Sequence, residues 1–71
     1  MIKKIDISVI LPTYNECENI IGVINQIKKY LNDWNFEIHV VDDNSPDGTA
    51  EIVDEIKSRD NRINLIKRTG K

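Results

Sequence analysis

Hydrophobic residues recur along the first half of the chain with two different periods. Residues 5–11 alternate and then become a continuous apolar run, which predicts a strand that ends before Pro12, because proline cannot donate to a strand ladder. Apolar residues three and four positions apart then predict a helix over residues 16–31. Its apolar stripe comprises Ile20, Ile24, Ile27 and Leu31. Asn15 and Glu18 have the spacing of a capping box and are the predicted start of that helix.

The second half of the chain repeats this succession of strand and helix. β-Branched and apolar residues predict strands over residues 36–41 and 63–66. Between them, Ser45 and Pro46 form a helix-start signal, with serine as the N-cap and proline at the first helical position. The side chains of this second helix that are predicted to face the core are Ile52, Val53 and Ile56.

This order of elements predicts an α/β fold with a parallel sheet and right-handed crossovers. Because the strand ends are apolar, we expect cover on both faces of the sheet, in a three-layer β-α-β-α-β Rossmann-like arrangement. Ligands of such sheets bind beyond the carboxyl ends of the strands. The polar segments over residues 12–16 and 42–48 follow the first two strands and are therefore the predicted ligand-binding loops.

Composition narrows the functional classes. The 71 residues carry ten Lys and Arg against twelve Asp and Glu, a net charge of −2, whereas nucleic-acid modules carry a basic excess. No apolar run approaches the roughly 20 residues that span a bilayer, and the first residues lack the pattern of a signal peptide. One cysteine, Cys17, and one histidine, His39, make neither a disulfide nor a structural zinc site. We expect a cytoplasmic protein that binds no nucleic acid, with both residues structural.

The second loop is rich in hydrogen-bond acceptors. Asp42 and Asp43 stand at a strand end, where a carboxylate can accept hydrogen bonds from a ribose hydroxyl or a base N–H. Ordinary helix capping explains the rest of the loop, since its residues are common in turns. A calcium-binding loop is a weaker alternative, because five residues have the spacing of EF-hand ligands. However, a strand precedes this loop where an EF-hand has a helix, and a proline lies within it. These five residues are Asp43, Ser45, Asp47, Gly48 and Asp54.

The first loop contains no glycine, so it is not the phosphate cradle of a dehydrogenase or a P-loop protein. Tyr14 offers an aromatic plane for stacking on a base, and Glu16 offers another acceptor. Alternatively, Tyr14 fills the core and Glu16 is a first-turn carboxylate stabilised by the helix dipole. The residue chemistry alone favours neither interpretation.

The two loops together resemble the start of a family 2 glycosyltransferase, in particular the dolichol-phosphate mannose synthase branch. The resemblance lies in Pro-Thr-Tyr-Asn-Glu at residues 12–16 and Asp-Asp-Asn-Ser-Pro-Asp-Gly-Thr at residues 42–49. The stretch Arg-Thr-Gly-Lys at residues 68–71 is also similar to that branch. The resemblance implies a GT-A fold, in which these loops hold the nucleoside of a sugar donor. The residues that it implies for the base and ribose are Pro12, Tyr14, Glu16, Val41, Asp43 and, as a secondary candidate, Asp42.

The resemblance also implies features that this sequence does not carry. Family members bind a divalent metal, Mg or Mn, through an Asp-x-Asp motif after a fourth strand, and residues 1–71 do not include it. We therefore expect residues 1–71 to be the amino-terminal nucleotide-binding portion of a glycosyltransferase, without catalytic residues and inactive alone. The exposed sheet edges of such a piece predict self-association.

For the intact enzyme, the resemblance implies a GDP-mannose donor, with a UDP-sugar as the alternative. The implied acceptor is a polyprenyl phosphate at the cytosolic face of a membrane. A non-catalytic α/β interaction domain, with the fold but without the chemistry, is the functional alternative from another class.

Overall fold

The computed structural model describes residues 4–69 and confirms the predicted α/β class and order of elements. The elements are β1 (Ile7–Thr13), α1 (Ile20–Tyr30), β2 (Phe36–Asp42), α2 (Thr49–Arg59) and β3 (Ile63–Lys67). The three strands are parallel in the order β1-β2-β3. The first three residues, Met1 to Lys3, which belong to the segment that lacks a signal-peptide pattern, lie outside the described residues. So do Gly70 and Lys71 of the predicted basic stretch.

Both helices begin later than the sequence predicts. Helix α1 begins at Ile20 rather than residue 16, and Asn15 is not its N-cap but has a left-handed backbone with φ 54°. Helix α2 begins at Thr49, with Gly48 as its N-cap at φ 91°, so the predicted start at Ser45 and Pro46 is wrong. The reason is tertiary: the residues of both predicted caps bond to the other loop or to a strand end instead of to their own helix.

The core lies on one face of the sheet. Fully buried residues from β2 and β3 pack against buried residues of both helices; they are Ile20, Ile24, Phe36, Ile38, Val40, Val53 and Ile63. Helices α1 and α2 contact each other, which places them on the same side. The strand order explains this, because two right-handed crossovers that advance in the same direction put both helices on one face. The described residues therefore form two layers, and the predicted cover on the second face is absent from residues 4–69.

The second face of the sheet combines polar and apolar side chains. Ile10 and Ile66 are 62% and 49% exposed on it. At its centre, Ser8 Oγ donates to Glu37 Oε2 at 2.7 Å, and His39 Nε2 lies 2.8 Å from the same oxygen. These contacts, with His39 first, hold the pKa of Glu37 below its usual range. His39 thus has a structural partner in Glu37.

Two further features of residues 4–69 are the length of the helices and the free edges of the sheet. Each helix has 11 residues, and neither combines the length and apolar character that crossing a bilayer requires. Strands β1 and β3 each have one edge without a strand partner among these residues, so self-association stays a prediction.

The one-sided core generates a test with two isoleucines of the same helix. Ile24 is fully buried and Ile21 is 51% exposed. We expect Ile24→Ala to lower the free energy of unfolding by about 2–5 kcal/mol, because it removes buried methyl groups and leaves a cavity. The matched Ile21→Ala is expected to change it by about 0.5 kcal/mol or less. Urea denaturation followed by circular dichroism measures both, and equal losses would contradict the described packing.

Candidate functional site

The carboxyl ends of the three strands form one edge of the sheet. Thr13, Asp42 and Lys67 are register partners across β1, β2 and β3. Backbone hydrogen bonds continue one step beyond: the Asp43 N–H donates to Thr13 O at 3.0 Å, and the Arg68 N–H donates to Asp42 O at 2.8 Å. The first loop (residues 14–19) and the second loop (residues 43–48) therefore leave the sheet side by side.

Asp42 is a buried carboxylate whose hydrogen bonds are internal. Asp42 is only 1% exposed. It accepts the Ser45 N–H at 3.0 Å and the Ser45 hydroxyl at 2.5 Å. The Thr13 hydroxyl approaches the same carboxylate at 3.4 Å. Such bonds compensate the cost of burying a carboxylate. They also fix Ser45, so Asp42 holds the second loop in place.

Three consecutive backbone N–H groups of the first loop donate to three side chains beyond β2. The Asn15 N–H donates to Ser45 Oγ at 2.9 Å. The Glu16 N–H donates to Thr49 Oγ1 at 3.0 Å, and the Cys17 N–H donates to Asp47 Oδ2 at 3.1 Å. We call these three bonds the loop clasp. Because they join residues about thirty positions apart, the clasp is a tertiary contact and not local turn structure.

Asp47 is the one charged side chain among the three acceptors of the loop clasp. Its Oδ1 accepts the Thr49 hydroxyl at 2.5 Å and the Thr49 N–H at 3.1 Å. Together with the Cys17 N–H, these donors lower the pKa of Asp47 to about 2, with the Thr49 hydroxyl as the largest cause. The carboxylate is therefore ionised at neutral pH. Its hydrogen bond with the Cys17 thiol and its negative charge in turn raise the pKa of that thiol.

The six residues predicted for the nucleoside all lie at or beside this edge. Pro12 and Val41 are register partners on the face of the sheet opposite the helices. Tyr14 is 56% exposed between two residues that bond to the second loop, so it does not fill the core. Glu16 is half-buried. Asp43 is exposed at the end of β2, whereas Asp42 is buried. The structure thus brings the two motifs together and separates the roles of the adjacent aspartates.

Arg68 is a charged residue at this edge that is not among the six residues predicted for the nucleoside. Its Nε lies 3.8 Å from Asp43 Oδ1, and both side chains are more than half exposed. Such an exposed, long ion pair contributes little to stability. It does place a cation at the edge beside the predicted base-binding carboxylate. The signal that identifies it is positional, since Arg68 is the residue directly after β3.

No site in residues 4–69 fits a metal ion. This part of the chain holds no group of three or more His, Cys, Asp or Glu side chains placed to bind one. The geometry also argues against the calcium alternative. Both carboxylate oxygens of Asp47 already accept hydrogen bonds from Cys17 and Thr49, and Asp54 lies on the exposed face of α2. The divalent ion implied by the family resemblance does not fit these residues either.

The edge is an open surface rather than an enclosed pocket. A cavity of about 190 Å³ lies beside the first loop, and its lining includes Pro12, Thr13 and Glu16. A groove of about 550 Å³ between α1 and α2 contains none of the six predicted residues, and its rim charges Lys28 and Asp60 pair with each other at 3.0 Å. An open edge with a small cavity beside it can form one wall of a ligand-binding site.

Comparison with known proteins gives a family and several relatives. The family model described as "Glycosyl transferase family 2" matches residues 8–71. A dolichol-phosphate mannosyltransferase from Pyrococcus furiosus is 46% identical over 63 residues, which cover 89% of this chain and 18% of that protein. A polyprenol monophosphomannose synthase from Mycolicibacterium smegmatis is 41% identical over 64 residues, which cover 89% of this chain and 23% of that protein.

A solved structure is also similar. A mannosyltransferase from Pyrobaculum calidifontis, in complex with GDP-Man and Mn2+, superposes with a TM-score of 0.77 at 30% sequence identity. The match covers 97% of this chain and 21% of that one. The chain therefore spans about a fifth of the length of the proteins that it matches, and the GT-A Rossmann-like fold predicted for it is confirmed.

The contact between Asp47 and Cys17 generates a test of the loop clasp. Asp47→Asn removes the negative charge and is expected to lower the pKa of the Cys17 thiol towards its ordinary value. At about pH 8, near the ordinary pKa of a free cysteine, a larger fraction is then thiolate and reacts faster with a thiol-specific reagent. Because Cys17 is the only cysteine, the rate belongs to it.

Asp54→Asn is the matched control, since Asp54 is exposed on α2. It removes the same charge from outside the clasp and is expected to leave the rate near that of the wild type. An unchanged or slower rate in Asp47→Asn would contradict the contact.

Proposed function

This chain belongs to glycosyltransferase family 2, and we propose that residues 4–69 supply the nucleoside-binding half of a nucleotide-sugar site. For the whole enzyme we propose transfer of mannose from GDP-mannose to a polyprenyl phosphate. One observation carries the proposal: the two motifs are clasped together at the edge of the sheet where such folds bind ligands. The names of the similar mannosyltransferases support the sugar and the acceptor.

Asp43 is the proposed contact for the base. It is exposed at the end of β2, and its carboxylate forms a long ion pair with Arg68. A carboxylate accepts two parallel hydrogen bonds when a ligand presents adjacent N–H donors. Guanine presents a ring N–H beside an amino group, whereas uracil presents a single N–H between two carbonyl oxygens. This chemistry favours GDP over UDP as the nucleotide.

The remaining contacts divide between stacking and hydrogen bonding. The exposed ring of Tyr14 offers a plane for the base or the ribose, and the carboxylate of Glu16 offers an acceptor for a ribose hydroxyl. Pro12 and Val41, paired across the sheet, supply apolar contact on the open face. Asp42, buried and internally bonded, holds the second loop instead of touching the nucleotide.

The diphosphate, the metal and the acceptor belong to the whole enzyme in this proposal. The similar Pyrobaculum calidifontis structure contains Mn2+, while residues 4–69 hold no cluster suited to a metal. We therefore assign a divalent metal to the intact protein and no catalytic residue to this stretch. A polyprenyl phosphate acceptor would place the intact enzyme at the cytosolic face of a membrane.

Titration of the 71-residue chain with GDP and UDP tests the nucleoside half-site. We expect GDP to bind with a millimolar Kd, about −4 kcal/mol, so calorimetry must extend to about 10 mM. Asp43→Ala is expected to weaken GDP binding by about tenfold or more, because hydrogen bonds to a charged group contribute about 1.5–3 kcal/mol. UDP is expected to bind more weakly and to depend less on Asp43.

Asp33→Ala is the control, because Asp33 is an exposed aspartate in the connection between α1 and β2. It changes the net charge equally and is expected to leave GDP binding unchanged. Absence of binding at 10 mM, or equal affinity in Asp43→Ala and Asp33→Ala, would overturn the proposal and favour a non-catalytic interaction domain.

A further inference from the structure

The loop clasp contains two hydroxyl groups in the same chemical arrangement. The Ser45 hydroxyl donates to Asp42 Oδ1 at 2.5 Å and accepts the Asn15 N–H at 2.9 Å. The Thr49 hydroxyl donates to Asp47 Oδ1 at 2.5 Å and accepts the Glu16 N–H at 3.0 Å. In both cases the hydroxyl donates a hydrogen bond to an aspartate, and the same oxygen accepts a backbone N–H of the first loop.

This arrangement determines what each hydroxyl can do. Since a carboxylate is an acceptor only, the hydroxyl proton is committed to it and the oxygen must act as the acceptor towards the loop. A hydroxyl that donates to a charged group also becomes a better acceptor, because linked hydrogen bonds polarise one another. Asp42 and Asp47 therefore orient and strengthen the bonds that the Ser45 and Thr49 hydroxyls make with the first loop.

The first loop depends on these contacts for its shape. Residues 14–19 lie outside the helices and strands, and Asn15 has a left-handed backbone. The groups that bond this loop to the second are three successive N–H donors, two of them held by hydroxyls. One of those donors belongs to Glu16, and Tyr14 precedes the other directly. Tyr14 and Glu16, two residues of the proposed nucleotide site, thus lie on a loop that side chains beyond β2 hold in place.

We propose that Ser45 and Thr49 are positioning residues of the nucleotide site, whose aspartate-oriented hydroxyls hold Tyr14 and Glu16 in the binding conformation. This inference rests on the proposed nucleotide-binding function. Thr49 acts on Glu16 and Ser45 acts on Asn15, next to Tyr14. Neither residue is assigned a contact with the ligand.

Thr49 offers a matched pair of substitutions. Thr49→Val keeps the branched shape at this fully buried position but removes the hydroxyl, and Thr49→Ser keeps the hydroxyl but removes a methyl group. A positioning role predicts that Thr49→Ser retains most of the GDP affinity and that Thr49→Val loses about tenfold. A role in packing alone predicts the reverse order, because only the serine variant leaves a cavity.

Amide hydrogen exchange without nucleotide supplies a second readout. The Glu16 N–H is expected to exchange faster in Thr49→Val than in Thr49→Ser, while core amides such as that of Ile38 are unchanged in both. If Thr49→Val fails to fold, Ser45→Ala tests the same claim at a half-buried position through GDP affinity and exchange of the Asn15 N–H. Ser58→Ala, which removes an exposed hydroxyl of α2, is its control.

The outcomes separate the two proposals. If the wild type binds GDP and Thr49→Val binds it equally well, the positioning role is overturned and the nucleotide site stands. If the wild type does not bind GDP at about 10 mM, the proposed function fails and the positioning role fails with it, whatever the exchange rates. Weakened binding in Thr49→Val, retained binding in Thr49→Ser and faster Glu16 exchange together support the inference.

Discussion

Hydrogen bonds from three successive backbone N–H groups to side chains beyond β2 join the two loops at the carboxyl edge of the sheet, where the nucleotide site is proposed. The acceptors are the side chains of Ser45, Thr49 and Asp47. Beneath them the buried carboxylate of Asp42 fixes Ser45, so the support runs from the end of a central strand to an exposed loop. The first loop has no helix or strand of its own between residues 14 and 19, and a loop of that kind keeps a binding shape only if something else holds it.

The topology explains why this edge can be both well supported and open. Two right-handed crossovers in the same direction place both helices on one face, where they bury Ile24, Ile38 and Val53. The other face presents Pro12 and Val41 beside the edge, and Ile10 and Ile66 elsewhere. The supported side contributes rigidity, while the open side leaves room for a ligand next to β1 and β2. The proposed nucleoside half-site is consistent with a chain that spans about a fifth of the length of the proteins that it matches.

Periodicity predicts the helices and strands because each has a clear apolar pattern, and polar residues after two apolar strands indicate the two loops. The helix starts were wrong for a specific reason. Asn15 and Ser45 are residue types that are common at N-caps. The Ser45 hydroxyl instead accepts the backbone N–H of Asn15, about thirty residues away, and Asn15 itself has a left-handed backbone. A local sequence pattern reveals neither feature. The one-sided core depends on strand order, which the composition of the individual strands does not reveal. Adjacent Asp42 and Asp43 looked alike in sequence, and only the fold distinguishes the buried from the exposed carboxylate.

A titration of the isotope-labelled 71-residue chain with GDP, followed by amide chemical shifts, tests the central claim most directly. We predict that the largest shifts fall on residues 14–17, on Asp43 and Asn44, and on Arg68, with the helix groove around Ile21 and Ile56 unaffected. Shifts concentrated in that groove, or absent from both loops, would contradict a nucleoside site at the carboxyl edge of the sheet.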